Sequence, residues 1–379
     1  MASISHDNTP SRLAPPPSGP GKSRRLEVLL AIATTVALVV VLGAAEGALR
    51  LLNVGAEAGM LGPLHAYSEV YGWTPRKSFR MVDESGVTST NARGYRGAEL
   101  PSERTAETRI VVLGDSIAFG LDVGDEQTFS HVLGERSGLE VANLAVEGYG
   151  PGQELLKLER EALAMDPDVV LLALCLNNDF ADATLPVFLY DGRHPKPFFR
   201  IENGELVEHS EQLRLSLRQR LGLVLRENSR LYNLIASQSS AWGAAPEAEG
   251  PHWSQRMKTA LDDRSGAVEL TARLLGRMAE DCRRAGVEFV VLAFPDKPTF
   301  KGDNSWLVEL RATPSLQGVT TVDMAERFRG RGILFRDLAF DGIGHLSVKG
   351  HQIAAEVIHD VLTEQGLMAK GPTLARSTF

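Results

Sequence analysis

Short apolar runs alternate with longer segments of helical periodicity between residues 109 and 365. The apolar runs are rich in β-branched residues and predict strands at Arg109–Gly114, Val141–Val146, Asp168–Leu176, Val287–Phe294 and Val319–Val322. The segments around them predict helices at Thr128–Arg136, Gly152–Met165, Leu270–Ala285 and Val348–Leu362. This alternation predicts a three-layer α/β/α sandwich with a central parallel sheet of about five strands.

An apolar segment near the N-terminus has a different pattern. Val28–Ala45 contains no charged residue and no polar face, and its length is close to the ~20 residues that cross a bilayer. We therefore predict one transmembrane helix over residues 26–46, ahead of the sandwich. Residues 1–25 are predicted to form a disordered cytoplasmic N-terminus, because Met1–Gly21 is rich in Pro, Ser and Gly. Basic residues precede the helix, which predicts that this N-terminus is cytoplasmic and that the remainder is extracytoplasmic. A cleaved signal peptide is the alternative, because small residues follow at Gly43–Ala45.

Three segments fall outside the alternating pattern. Residues 47–108 contain several turn signals and predict a lead-in that lies on the surface. Residues 182–265 interrupt the main domain (109–365) with prolines, a helical stretch at Leu213–Leu234 and an Ala/Gly/Pro-rich loop. We predict an insertion over the strand ends, and the pattern leaves open whether it selects substrates or only covers the structure. Residues 366–379 are predicted to form a C-terminal tail.

Composition and charge narrow the classes of function. The 379-residue chain has a formal net charge of −8 and no basic run in its globular part, which argues against nucleic acid as a partner. The cysteines, Cys175 and Cys282, lie in apolar or helical stretches and are interpreted as buried free thiols. No Cys/His cluster has the spacing of metal ligands, and we expect neither a metal nor a cofactor.

Polar residues and glycines follow the first three predicted strands, at the edge of a parallel sheet where active sites form. Ser116 follows the first strand in the sequence Gly114-Asp115-Ser116, where the glycine permits a tight turn and the serine would begin a helix. Gly148 follows the second strand and can turn its N–H toward a ligand. Asn178 follows the third and can donate to a developing oxyanion. Each alone also has an ordinary explanation, as a helix cap, a glycine-rich loop or a loop asparagine.

A histidine and an aspartate precede the last predicted helix. His345 follows Asp341 in the glycine-rich sequence DGIGH, whose glycines let the two side chains converge. A histidine that accepts the hydroxyl proton, and a carboxylate that fixes the imidazole tautomer, are what a serine needs to become a nucleophile. Asp337, eight residues before His345, is the other candidate for the carboxylate.

Together these segments resemble the four sequence blocks of the SGNH (GDSL-type) hydrolase family. Gly114-Asp115-Ser116 matches the first block, Asn143 to Gly148 the second, Asn178-Asp179 the third, and His345 with Asp341 the last. The lead-in sequence NARGYRG and the insertion are similar to those of membrane-anchored bacterial members. Two positions depart from the pattern. Asp341 is four residues before His345, where the family usually has three, and Leu176 replaces the usual glycine of the third block.

The resemblance implies an acyl-transfer mechanism with Ser116 as nucleophile, His345 as base and Asp341 as its carboxylate partner. It also implies an oxyanion hole made of the Ser116 N–H, the Gly148 N–H and the Asn178 side chain. The expected function is a serine esterase outside the cytoplasmic membrane that hydrolyses short acyl esters, such as O-acetyl esters, of a small molecule, glycan or lipid. Two alternatives remain: an O-acyltransferase acting on a cell-surface glycan or lipid, and a non-catalytic binding module of the same fold.

Overall fold

The computed structural model describes residues 22–52, 54, 63–101, 104–235, 251–339 and 344–368. The chain forms two compact units. One comprises Met1–Glu57 with Leu223–Gly243, and the other comprises the rest of the chain. Most of the N-terminal segment predicted to be disordered, and most of the predicted C-terminal tail, lie outside the described residues.

The first unit contains one long helix, α1 (Lys22–Leu51). Its stretch Arg24–Leu51 is strongly apolar, and the most apolar part of it is not buried against protein. The helix is therefore long enough and apolar enough to cross a membrane, in agreement with the span predicted for residues 26–46. A signal sequence has the same properties.

Two antiparallel hairpins precede the central sheet in the second unit. They pair β1 (His65–Ser68) with β2 (Gly72–Pro75), and β3 (Arg80–Asp83) with β4 (Gly86–Ser89). Trp73 in β2 is fully buried, and its Nε1 donates a hydrogen bond to the Glu147 carbonyl oxygen (2.9 Å). The lead-in is thus more than the surface segment that its turn signals predict, because part of it belongs to the core.

The remaining strands are β5 (Arg109–Gly114), β6 (Glu140–Asn143), β7 (Val169–Cys175), β8 (Phe198–Glu202), β9 (Glu205–His209), β10 (Glu288–Phe294) and β11 (Thr320–Asp323). Strands β8 and β9 form a hairpin within the insertion. The other five form one parallel sheet in the order β11-β10-β7-β5-β6. The central strand, β7, is buried along its whole length, because helices cover both faces of the sheet. The predicted fold is confirmed.

The helices after α1 are α2 (Ser116–Phe119), α3 (Phe129–Ser137), α4 (Pro151–Lys157), α5 (Asp179–Thr184), α6 (Leu217–Asn228), α7 (Trp253–Ala260), α8 (Arg264–Ala285), α9 (Lys297–Phe300), α10 (Ser305–Ala312), α11 (Met324–Gly330), α12 (Phe335–Leu338) and α13 (Val348–Glu364). Helices α4 and α8 contribute to the core on one face of the sheet, with Leu155 and Leu275 fully buried. Helices α3 and α13 contribute to the core on the other, with Leu133 and Ile358 buried. These two apolar layers hold the strand ends in place.

Two predicted helices are divided in the structure. Gly152–Met165 begins as α4 and continues as a π-helical segment, Leu158–Ala162, and a 3₁₀ turn. The predicted stretch Leu213–Leu234 breaks at Ser229, which follows α6. The Ser229 hydroxyl accepts a hydrogen bond from the Tyr232 N–H (3.1 Å), so this serine caps a new helical segment.

Candidate active site

Ser116 lies at the point where β5 ends and α2 begins. Gly114 has a φ of +148°, and a Cβ there would lie 2.8 Å from the Ala118 Cβ, so this turn requires glycine. Asp115 caps α2, because its carboxylate accepts a hydrogen bond from the Ile117 N–H (2.9 Å). The turn leaves Ser116 half-buried at the carboxyl edge of the sheet.

A line of hydrogen-bonding side chains runs from Ser116 through His345 to Asp122. His345 Nε2 is 3.1 Å from Ser116 Oγ, and His345 Nδ1 is 2.9 Å from Asp122 Oδ2. The Asp122 side chain is 47% exposed, whereas that of His345 is 18% exposed. An imidazole held in this way can accept the serine proton at one nitrogen while the other nitrogen donates to the carboxylate.

Asp122 reaches His345 from the loop that follows α2. That helix ends at Gly120 in the left-handed conformation, with a φ of 77°. Asp122 itself has a φ of 68°, which is uncommon for residues other than glycine but is tolerated best by Asn, Asp and His. Asp122 therefore comes from the segment that carries the serine, and not from the segment that carries the histidine.

The two aspartates considered from the sequence have different positions. Asp341 lies outside the described residues. Asp337 accepts hydrogen bonds from the Leu334 N–H (3.1 Å) and from Lys349 Nζ (3.1 Å), so its carboxylate is engaged at the start of α12. Among the described residues, the carboxylate in contact with His345 is that of Asp122.

Gly148 has the backbone conformation that its position in the loop predicts. Its φ is +73°, and a Cβ there would lie 2.3 Å from Cε2 of the Phe188 ring, so no larger residue fits. The N–H groups of Gly148 and Ser116 donate no hydrogen bond to another described residue. Both N–H groups therefore remain donors for a substrate oxygen.

Asn178 is buried at the end of β7 among carboxylates. Its Nδ2 lies 3.3 Å from Asp115 Oδ2, 3.4 Å from Asp179 Oδ1 and 3.1 Å from Asp182 Oδ2. An amide nitrogen has two hydrogens, so these acids compete for it with any substrate oxygen. The acids thus fix where the amide lies, and through Asp115 they join it to the serine turn.

A buried lysine from the insertion enters this acidic cluster. Lys196 Nζ donates to Asp182 Oδ1 (2.8 Å), and both side chains are almost fully buried. Burial raises the pKa of Asp115 to about 6 and raises the pKa of Asp179 and of Glu154 well above their usual range. Acids in such a place are stable when they are protonated or paired with a cation. The insertion therefore supplies a cation to this acidic cluster.

We expect Lys196→Met to lower the free energy of unfolding by roughly 3–5 kcal/mol, because it leaves Asp182 buried without its cation. Lys349→Met is the matched control. It removes a half-exposed lysine from Asp337 and should cost at most about 1 kcal/mol. Chemical denaturation of the detergent-solubilised protein measures both changes. Equal, small losses would show that Lys196 is not needed to compensate the acids.

Asn143, in the second block, supports the serine turn through its side-chain hydrogen bonds. Its Nδ2 donates to the Ala118 carbonyl oxygen (2.7 Å) and to Ser130 Oγ (2.9 Å), and its Oδ1 accepts from the Ala145 N–H (3.1 Å). All of these hydrogen bonds are buried. Asn143 therefore ties α2 to the end of β6.

Glu147 is a further acid at the site, next to Gly148 in the chain. Burial raises its pKa to about 7, His345 lowers it in part, and Asp122 and Asp115 raise it. The folded-state pKa exceeds the ordinary value of 4.5. The contribution of Glu147 to stability is therefore complete below pH 4.5 and is lost as the pH rises through about 7.

We expect Glu147→Gln to remove this pH dependence. The variant should gain stability over the wild type as the pH rises from 4 to 8, by at most about 3 kcal/mol. Because groups far from Glu147 titrate alike in both proteins, the difference between their free energies of unfolding reports Glu147 together with the neighbours that it interacts with, His345, Asp122 and Asp115. A difference that stays constant over this range would contradict the assignment.

Three residues of the site were not found from the sequence: Asp122, Glu147 and Lys196. The loop sequence Gly120-Leu121-Asp122 carries a signal, since an aspartate two residues after a helix-ending glycine can reach back toward the serine. For Lys196, the only notable feature of the surrounding sequence is the prolines of the insertion. Within the described ranges, no group of three or more His, Cys, Asp or Glu side chains is arranged to hold a metal ion.

A parallel sheet with a serine and a histidine in contact at its carboxyl edge is the arrangement of an α/β serine hydrolase. The model of the GDSL-like Lipase/Acylhydrolase family matches residues 112–353, more than half of the chain. The chain belongs to this family and is an ester-hydrolysing enzyme. This confirms the family to which the four sequence blocks point.

Several solved structures are similar to this chain at low identity. They include TesA, at 14% identity (TM-score 0.39), over 68% of this chain and 99% of that chain. A catalytic mutant of Axe2, an acetylxylan esterase from Geobacillus stearothermophilus, matches at 13% identity (TM-score 0.38), over 72% of this chain and 98% of that chain. LAE5, an alpha/beta hydrolase enzyme from the metagenome of Lake Arreo, Spain, matches at 13% identity (TM-score 0.37), over 70% of this chain and 99% of that chain. No curated protein matches the chain.

Proposed function

We propose that this protein is a serine esterase that hydrolyses carboxylic esters through an acyl-enzyme. The observation that carries the proposal is the contact of Ser116 Oγ with His345 Nε2 (3.1 Å). Asp122 on the far side of the imidazole supports the same roles, because it fixes the tautomer in which Nε2 is the acceptor. Membership of a family of acylhydrolases supports the reaction class.

In the proposed reaction Ser116 Oγ attacks the ester carbonyl carbon while His345 Nε2 accepts the hydroxyl proton. The N–H groups of Ser116 and Gly148, with Asn178 Nδ2, stabilise the oxyanion. The alcohol leaves with the proton from His345, and the acyl group remains on Ser116. His345 then deprotonates a water that attacks the acyl carbon, and the acid leaves as Ser116 regains its proton.

The substrate that we propose carries a short acyl group, such as acetyl. The Phe188 ring packs so closely against Gly148 that a methyl group on that glycine would overlap it. This ring narrows the space beside the proposed oxyanion position. A small acyl group needs the least room there, and an exported enzyme would meet it on a glycan, a lipid or a small molecule.

The reaction is tested with the full-length protein in detergent and a series of acyl esters and acetylated glycans. We expect release of free acid, fastest for acetyl esters. Acylated acceptor without free acid would instead identify an O-acyltransferase that uses the same residues. No turnover of any ester would favour a non-catalytic binding module.

For location, we propose that α1 is an uncleaved anchor and that the remainder lies outside the cytoplasmic membrane. The apolar helix and the basic residues before it support this orientation. A reporter fused after Phe379 should be active only outside the cytoplasm, and the protein should stay with membranes after a high-salt wash. A fully soluble mature chain would instead indicate signal cleavage.

We expect Asn178→Ala to lower kcat by roughly 10²–10³ with little change in KM, because in the proposed reaction the lost donor stabilises the oxyanion and not the bound ester. Thermal unfolding checks that the loss of its contacts with Asp115 and Asp182 leaves the protein folded. Asn177 is the matched control. It is exposed, and Asn177→Ala should change kcat far less. Steady-state kinetics on one acetyl ester measures both variants. The reverse order of effects would place the oxyanion donor one residue earlier.

A further inference from the structure

Helix α6 has an apolar stripe that faces solvent. Leu217, Leu221, Val224 and Leu225 recur with helical spacing on one side of it and are 47–74% exposed. Apolar side chains at i, i+4, i+7 and i+8 form a continuous face that a soluble helix would normally bury. No residue in the described part of the chain buries this stripe, and an exposed apolar face of this kind is typical of an interaction surface.

Arginines border the same stripe. At 100° per residue, Arg218 and Arg220 lie on its two sides, and Arg226 lies on the opposite face. All three are exposed, and Arg220 pairs with Glu69 (2.7 Å). A helix with leucines on one face and arginines beside them is typical of helices that lie in the plane of a membrane surface.

The end of α6 is bonded to the end of α1. Arg50, in the last turn of α1, donates through Nη2 to the Asn228 carbonyl oxygen (2.6 Å), which ends α6. Glu46 accepts hydrogen bonds from the N–H groups of Arg230 and Leu231 (3.0 Å each), directly after α6. These contacts all lie within one compact unit. They place the last turn of α6 beside the C-terminal end of the apolar helix.

We propose that α6 is an interfacial helix that lies on the membrane in which α1 is anchored. Its apolar stripe then packs against lipid, at the depth where headgroups meet acyl chains. The bordering arginines contact anionic headgroups. Two arguments select lipid over a protein partner. The last turn of α6 is hydrogen-bonded to the end of the apolar helix, and the charged side chains that border the stripe among the described residues, Arg218 and Arg220, are positive. The inference rests on the proposed anchor.

The test uses full-length protein with a single added cysteine that carries an environment-sensitive fluorophore. The native Cys175 and Cys282 are buried, so unmodified protein provides the labelling blank. The probe positions are Leu221→Cys in the stripe, Arg226→Cys on the opposite face as matched control, and Val36→Cys in α1. Each protein is reconstituted into vesicles of phosphatidylcholine, or of equal parts phosphatidylcholine and phosphatidylglycerol, with acyl chains brominated as quenchers.

We expect brominated chains to quench the probes at Leu221→Cys and Val36→Cys at least several-fold more than the probe at Arg226→Cys. Quenching at Leu221→Cys should be stronger with phosphatidylglycerol than without it. Quenching at Val36→Cys alone overturns the inference and leaves the anchor intact. No quenching at either position overturns both. A Leu221→Cys probe that is shielded from aqueous iodide but not quenched by lipid indicates a second copy or another protein on the stripe, which also overturns the inference.

Discussion

Replacing Ser116 by alanine should lower ester turnover by about 10⁴–10⁶ in kcat, because no other group in the site can form the acyl-enzyme. The protein should remain folded, since the Ser116 hydroxyl contacts His345 at the half-buried edge of the sheet and not in the core. Steady-state kinetics measures the loss, and thermal unfolding checks the fold. A serine-directed phosphonate should label the wild type at Ser116 alone, as shown by mass spectrometry of its peptides.

Ser254 provides a matched control for this experiment. Its hydroxyl lies 2.8 Å from His252 Nδ1, so it also has a histidine neighbour, but it lies in the first turn of α7, a helix with no buried residue, and does not follow a strand of the central sheet. Ser254→Ala should keep full activity and full labelling. His345→Ala should lower kcat about as much as Ser116→Ala does. The double variant should lower kcat little further, because the two residues act as one unit in the proposed reaction. Normal turnover in Ser116→Ala would end the serine-esterase proposal.

Asp122→Asn should lower kcat by roughly 10²–10⁴, because a neutral amide at His345 Nδ1 favours the wrong imidazole tautomer and cannot stabilise the imidazolium. The lower part of this range is expected, since the Asp122 carboxylate is 47% exposed and water can replace part of its effect. The fold should be unchanged, because the side chain lies at the surface. The measurement is kcat on an acetyl ester, with unfolding as the control for structure.

Asp341→Asn and Asp337→Asn decide between the possible carboxylates. Asp337 is bound to Lys349, so its variant should retain nearly full activity. If Asp341→Asn loses activity and Asp122→Asn does not, the partner is the residue that the family pattern predicts. If all three variants stay active, the site is a Ser–His dyad. Losses in both Asp122→Asn and Asp341→Asn would show that His345 depends on two acids.

The sequence predicted the parts of the protein that depend on local pattern. The apolar runs indicated all five strands of the sheet, since a strand such as β7, buried on both faces, must be apolar along its length. Ser116 and Gly148 were indicated by the same reasoning, because the glycines around them allow tight turns at strand ends. His345 was indicated by its place before the last helix. These features are set by residues close together in the chain.

Only the tertiary structure decided which charges meet. Asp122 and His345 are 223 residues apart. Gly120 marks a turn from which Asp122 can reach back toward the serine, but no local pattern states that this turn brings the carboxylate within 2.9 Å of the imidazole. The pairing of Lys196 with Asp182 could not be predicted from the sequence either, because an isolated lysine is most often exposed. Such contacts depend on how separate segments pack. The sequence therefore determined the fold and indicated Ser116 and His345, and packing determined which charged groups lie beside them.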